Sequence, residues 1–530
     1  MMKSIIVTLL TLLVVAGQTA VAADTVPLVY VGPDGTLVYT PDSNGNRIPD
    51  FSRSGYMGGG VLIPDLPVRK VLEPRQGNAD DTARIQEAID DLSGCKPDKQ
   101  GLRGVLLLKR GLYRVSGALQ IKASGVVIRG EGQKANGTTL LATGKEKRTL
   151  ITLAGESIIR EIKGSRSRIT DDYVPWGDRS FSLESTKGLS IGDSVIVYRP
   201  STPEWIHDIK MDRIVERKGT KQWGAGDYDL RFERTITSIE GDRITIDAPI
   251  VNAMEKKYGG GFVYRCSEEG RLYQSGLEHL RLVSEYQQGK ENADEDHALT
   301  GVALDHAANA WVRNVTTVHF SHAVNLGRGA IFVTVQDCAY LKPVSRITGG
   351  RRYSFAINGQ YCLVQRCYSD HARHAETTGS RVCGPNVFLD CLAERTHDDA
   401  GPHHRWSVGI LWDNLKGGPF IAQDRGNWGT GHGWAGAQHV FWNCKASSIC
   451  VQKPPTAQNY AIGCTGKISE GRFKDREPGH YESYEEHVNP RSLYLRQLAD
   501  RLGMRAVKNI TTEAQRKGTV YLLLKKELSQ

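Results

Sequence analysis

What the 530-residue chain lacks already narrows what it can be. Its 10 cysteines include no Cys-x-x-Cys pair, which argues against a structural zinc site. Beyond residue 22 no apolar run approaches the ~20 residues a membrane span needs, so no integral segment is expected in the mature chain. A recognised nucleic-acid-binding motif is missing, and the formal charge of +9 is modest for this length. Nucleic acid is therefore not expected as a partner, although some anionic partner would suit the charge. Helical periodicity is scarce through the middle, where short Val/Ile/Leu runs between glycines indicate β structure.

The first 22 residues read as an export signal. Lys3 is the basic start, Ile5 to Ala16 the apolar stretch and Ala20-Val21-Ala22 the cleavage site. The mature protein is expected in the periplasm or outside the cell, as a monomer. A chain of this length is long for one ordinary core, but a solenoid grows in one dimension and escapes that limit.

Near-repeats point to a solenoid. VTVQDC, LVQRC, VFLDC and VFWNC end at Cys338, Cys367, Cys391 and Cys444, and AIGC at Cys464 is a weaker copy. WVRNV places Asn314 in the same slot. The steps are 24, 29, 24, 53 and 20 residues, and the long one divides if LWDN at Asn414 is a turn of its own. Short strands with this period are the signature of stacked coils. The five cysteines are then expected as a buried ladder of free thiols rather than disulfides; Cys95, Cys266, Cys362, Cys383 and Cys450 stay undecided.

Along the chain, residues 23–76 form a polar lead-in. There Asp42, Asn44, Asn46 and Asp50 alternate as calcium ligands can, but no glutamate completes the loop, so an ion-free turn is favoured. Residues 77–167 open with a helix whose apolar face is Ile85, Ala88 and Ile89, begun at Asp81/Thr82, followed by short strands. Residues 168–262 break the repeat and read as an antiparallel β insertion; its middle, STPEWIHDIKMDR, either lines a groove or is a plain loop. Residues 263–470 carry the main coils. Residues 471–530 are read as a helical C-terminal cap over the open end, with a helix on Leu493, Leu495, Leu498 and Leu502 and then a short strand, VYLLLKKEL.

The run GNADDTARIQEAID, then GVLLLKRGLYRVS, then GVVIRGEG, resembles the pectate-lyase superfamily. The resemblance covers residues 77–132 and agrees with the later repeats. It implies an all-β, right-handed parallel β-helix whose first helix caps the N-terminal end. It specifies the fold far better than the reaction, because lyases, polygalacturonases, epimerases and phage tailspikes share that architecture.

Eleven of the 15 histidines lie between His297 and His439. If the coils are in register, His319, Lys342, His371 and Arg395 stack as a basic column, fit either to meet a polyanion or to sit as solvated turns. Beside it are SDHARHAETTG, ERTHDDAGPHHRW and QDRGNWGTGHGWAGA. So many His and Arg near tryptophans and glycines read as a site. Cleaving a uronate polymer by β-elimination needs a cation on the C6 carboxylate, a base for the C5 proton and an acid for O4. Arg405 and Arg425 are the expected carboxylate holders, His404 or His374 the base, and His403 or His432 the second proton carrier. Trp428 and Trp434 would stack on sugars, with His371, Arg395, Asp398, Asp399, Arg352 and Tyr353 as further substrate contacts. Metal dependence stays open: calcium on Asp398/Asp399 is one candidate, while the acidic loop Asp294–Asp296 reads rather as solvated carboxylates. The expected function is an exported polysaccharide lyase acting on an anionic polysaccharide. Two alternatives stay open. Asp398-Asp399 and Gly431-His432-Gly433 are similar to elements of inverting polygalacturonases, though no Asn-Thr-Asp or Arg-Ile-Lys element accompanies them. A non-catalytic glycan-binding β-helix is the other.

Overall fold

Most strands of this chain cannot bury an apolar face alone. VFL, ILW and VFW are apolar at successive positions, so both sides of each strand need cover. A computed structural model of the protein describes residues 26–156 and 159–529; the expected leader, residues 1–22, lies outside them. It shows how both sides are covered. The chain winds into a right-handed parallel β-helix of three stacked sheets. The first sheet runs through Leu119–Ile121, Thr149–Ala154, Thr300–Asp305, His322–Leu326, Tyr353–Ile357, His374–Thr378 and Gly401–Pro402. A second contains Thr334–Gln336, Leu363–Gln365, Cys383–Leu389, Ser407–Asp413, Val440–Trp442 and Tyr460–Ile462, and the third Ala339–Leu341, Tyr368–Asp370 and Leu392–Glu394.

Register explains the repeated slot and shifts it by one residue. Gln336, Gln365, Leu389, Asp413, Trp442 and Ile462 stack. The next residues, Asp337, Arg366, Asp390, Asn414, Asn443 and Gly463, turn the corner with φ of 50° to 65°. Asn314 belongs to this left-handed corner and not, as its motif suggested, to the cysteine slot. Val315 and Leu415 fill the cysteine position instead, inside the core with Cys338, Cys367, Cys391, Cys444 and Cys464. These five thiols are free and buried; Cys444 and Cys464 reach carbonyls of the preceding coil at 3.2 and 3.3 Å. His319, Lys342, His371 and Arg395 do form a second left-handed corner, with φ of 48° to 71°.

Helix α1 (Thr82–Gly94) closes the N-terminal end by adding Ile85, Ala88, Ile89 and Leu92 to the inner core. Asp81 stands at its N-cap position, but its side chain makes no cap bond there and pairs with Arg84. The insertion leaves the first sheet after Thr149–Ala154. It forms an antiparallel sheet from Arg160–Glu161 to Phe262–Ser267, with its own core around Phe181, Val197, Trp205, Phe232 and Ile244. Within it α2 (Pro203–Asp208) is capped by the Thr202 side chain. The tail first adds the strand His480–Glu482 beside Tyr460–Ile462, and from Leu493 it is helical: α3 (Leu493–Ile510, broken at Gly503), α4 (Glu513–Arg516) and α5 (Val520–Leu528). VYLLLKKEL is thus a helix and not the expected strand. Its cover is lateral. Leu493, Tyr494, Leu495 and Leu498 pack on Leu363, Val387, Leu411, Val440 and Tyr460, the outward residues of the second sheet. Val520, Leu524 and Leu528 pack on Leu341 and Tyr368 of the third. Among the described residues no helix is long and apolar enough to cross a membrane.

Candidate active site

The coil geometry stacks His322, Tyr353 and His374 on successive turns of the first sheet. One turn on, the chain supplies Asp398 and Asp399, then His403 and His404, before a strained tip. Arg405 and Trp406 both take left-handed backbone, φ 56° and 59°, a conformation costing about 1–3 kcal/mol each for such residues. The tip is held by the Trp406 ring, edge-on to Trp205 of the insertion at 4.8 Å, and by its indole N–H donating to Asn252 at 2.8 Å. It aims both histidines into a cleft of about 610 Å³.

The opposite wall is the loop 424–434, pinched at its neck by Asp424 and Trp434. Gly429 is obligatory there: its φ is +57°, and a Cβ would lie 2.0 Å from the His432 ring. The insertion grips this loop. Lys221 N–H donates to the Thr430 carbonyl at 3.1 Å, Trp223 Nε1 to Gly431 at 3.2 Å and Arg217 to Gly429 at 2.9 Å. The STPEWIHDIKMDR segment itself packs Trp205, Ile206, Ile209 and Met211 into the insertion core, and it is Arg217, just beyond it, that lines the cleft.

Inside, Tyr353 Oη and His403 Nε2 share a hydrogen bond of 3.0 Å. The rings of His403, His404 and His432 lie 4.8 to 5.2 Å apart, and His374 lies 4.4 Å from His403. His374 Nδ1 is 2.8 Å from the Asp399 carbonyl oxygen. Arg425 is ion-paired with Asp399, and Arg373 lies 3.3 Å from Asp398. Nδ1 of His403, His404 and His432 and Nε2 of His374 are buried without a hydrogen-bond partner among the described residues. Burial keeps all four imidazoles neutral. It acts with Arg425 to hold His374 near about 3, with Arg405 to hold His404 near about 4, and with His404 to hold His432 near about 3. His403 is well below its ordinary value through burial and His374. The Tyr353 phenol is pushed up by burial, against the pull of Arg373 and Arg425, and burial then Asp399 raise Asp398.

Of the residues singled out from sequence, Tyr353, Asp398, His403, His404, Arg425, Trp428 and His432 line the cleft. His374 and Asp399 stand behind them. Arg405 turns aside to Thr430. Trp434 is buried in the insertion core, donating to the Ile209 carbonyl at 3.1 Å, and presents no face to the cleft. Arg352 is equally buried, bonded to the Ser345 carbonyl and Asn292. His371 and Arg395 sit at the outer corner, where His371 stacks on His397 and Arg395 bonds Asp370 at 2.8 Å. Arg217 and the Gly349–Gly350 wall carried no sequence signal, because they come from segments without repeat. Arg373 belongs to the polar SDHARHAETTG stretch, but the sequence assigns it no role.

His374, Asp398 and Asp399 are the one group among the described residues whose donor atoms lie within 4.8 Å of one another. They make a poor calcium cage. Calcium wants six to eight oxygens, whereas here each carboxylate faces a guanidinium and the third donor is an imidazole. Asp42 Oδ1 accepts from the N–H groups of Asn44 and Asn46, and its other oxygen from the Asn46 side chain, an Asx turn.

No protein-family profile matches the sequence, and no curated protein resembles it. Among solved structures it is similar to the tailspike protein gp49 from Pseudomonas phage LKA1, at 13% identity and a TM-score of 0.43 over 74% of this chain and 65% of that one. The gp54 tailspike of Acinetobacter baumannii bacteriophage AP22, in complex with a capsular saccharide, matches at 10% identity and a TM-score of 0.35, over 77% and 56%. A tailspike of E. coli bacteriophage HK620, in complex with a pentasaccharide, matches at 11% and 0.40, over 75% and 55%. The chain thus spans less than two thirds of each, and likeness at this level adds nothing to the strand register.

Proposed function

We propose that the protein is an exported polysaccharide lyase that cleaves a uronate-containing polymer by β-elimination in this cleft. The observation that carries the reading is the Tyr353–His403 hydrogen bond, set among neutral imidazoles and beneath the guanidiniums of Arg217, Arg373 and Arg425. Arg217 and Arg373 face the uronate carboxylate and acidify its C5–H. His404, half-buried and neutral, takes the C5 proton. The freed electron pair forms C4=C5, the C4–O4 bond breaks, and the Tyr353 hydroxyl protonates O4. His403 orients that hydroxyl. Arg425, already neutralised by Asp399, positions His374 and the carboxylate pair rather than substrate. Trp428, 41% exposed, offers its face to a sugar ring.

The inverting-hydrolase alternative is less well supported, because Asp399 is locked to Arg425 and cannot activate water. The test is ultraviolet absorbance of an unsaturated uronate during incubation with polygalacturonate, alginate, chondroitin sulfate and ulvan, with and without calcium. A rise that Tyr353→Phe lowers by about 10²-fold or more is expected. New reducing ends without that absorbance would overturn the lyase reading in favour of hydrolysis.

A further inference from the structure

A second cavity, of about 270 Å³, lies along the same edge of the solenoid. Arg328, Asn358 and Arg381 reach it from turns that leave the first sheet, and Arg231 and Tyr264 from the insertion. Three guanidiniums therefore line one concavity. Its two carboxylates are already committed. Asp229 accepts from the Ser201 N–H and hydroxyl at 2.8 and 2.9 Å and from Tyr198, and Glu161 pairs with Arg166. Arg231 comes no closer than 3.8 Å to Asp229. Arg381 donates to Ser380 at 3.1 Å and to the Asp227 carbonyl, neither of them charged. Arg328 makes no hydrogen bond or ion pair among the described residues, and burial followed by Arg381 makes its proton easier to lose. Glu161 is paired with Arg166, so the three guanidiniums outnumber the carboxylates left to face them, and an entering anion would be attracted there.

This cavity adjoins the cleft. The Arg381 N–H donates to the Arg405 carbonyl at 2.8 Å, so the two corners stack directly, and Arg405 follows His404 in the chain. A polymer lying along the edge would meet both places. We infer that the Arg231–Arg328–Arg381 cavity is a subsite for a second carboxylate of the same acidic polysaccharide, away from the bond being cut. The subsite rests on the lyase reading of the cleft for its catalytic consequence, but not for its binding.

Arg328→Gln and Arg381→Gln test it. On the polymer that responds among polygalacturonate, alginate, chondroitin sulfate and ulvan, each change should raise KM about tenfold with kcat kept within about twofold. KM for the shortest oligosaccharide still cleaved should stay unchanged. An equal loss on both substrates, or an unchanged KM on polymer, overturns the subsite. Equilibrium binding of the same four polymers, native and carboxyl-reduced, to Tyr353→Phe protein separates the two claims. If no unsaturated product ever forms, the lyase reading fails. Binding that is lost on carboxyl reduction and weakened by Arg328→Gln still sustains the subsite. Charge-blind binding, or none, overturns it.

Discussion

At the scale of single residues, the cleft is a place where imidazoles are stripped of their usual titration. His374, His403, His404 and His432 are all depressed by burial, so each is already unprotonated at neutral pH. A depressed base keeps its neutral form as pH falls, until the pH reaches the lowered value. The acid limb of kcat/KM should therefore show no inflection near the ordinary histidine value of about 6.5, and should fall only as His404 titrates near about 4. A limb centred on the ordinary value would show that His404 is not the base. The same residues show what sequence can and cannot reveal. Clustering of His and Arg marked a stretch that lines the cleft. It could not separate Trp428, which faces the cleft, from Trp434, whose ring the insertion buries, because both sit between glycines in one loop.

At the scale of elements, the polar corner of the coils is a docking rail for the tail. Asp390 receives Arg491 through both its oxygens at 2.8 to 3.0 Å, Asp413 accepts from Ser492 at 2.7 Å and Tyr494 N–H at 2.9 Å, and Arg366 donates to the Ile510 carbonyl at 2.9 Å. Burial raises Asp390 to about 6 although Arg491 opposes it. A carboxyl raised in the folded state favours folding below its unfolded value and loses that contribution as pH rises through the folded value. Arg491→Ala raises it further. The variant should lose about 3 kcal/mol near neutral pH, and distinctly less near pH 5, where the folded carboxyl is already protonated; urea unfolding at the two pH values checks this. An equal loss at both would show that packing, not charge, holds the tail. The coils themselves were legible because a 20–30-residue period survives in the cysteines. Assignment of the slot slipped at Asn314 because small polar residues favour the left-handed corner just as small thiols favour the position after it. VYLLLKKEL reads as a strand from its apolar run, and becomes a helix because Val520, Leu524 and Leu528 share one face toward the third sheet.

At the scale of the whole molecule, two cores meet at the site. The coils contribute Tyr353, His403 and His404; the insertion holds the loop bearing Trp428 and His432 through Lys221 and Trp223. Trp406→Ala removes a fully buried ring from the joint between them, and should lower stability by about 3–5 kcal/mol. Because a solenoid's stability is built from neighbouring coils, that loss should fall on the joint first. Activity should vanish on heating before the bulk of the β circular dichroism does, and coincident loss would contradict this. The insertion also departs at Ala154, several coils before the loop it grips. It behaves like a caliper closed on a fixed length of stack. Duplicating or deleting a coil beyond either jaw leaves the gap unchanged. Doing so between the jaws carries the loop out of reach.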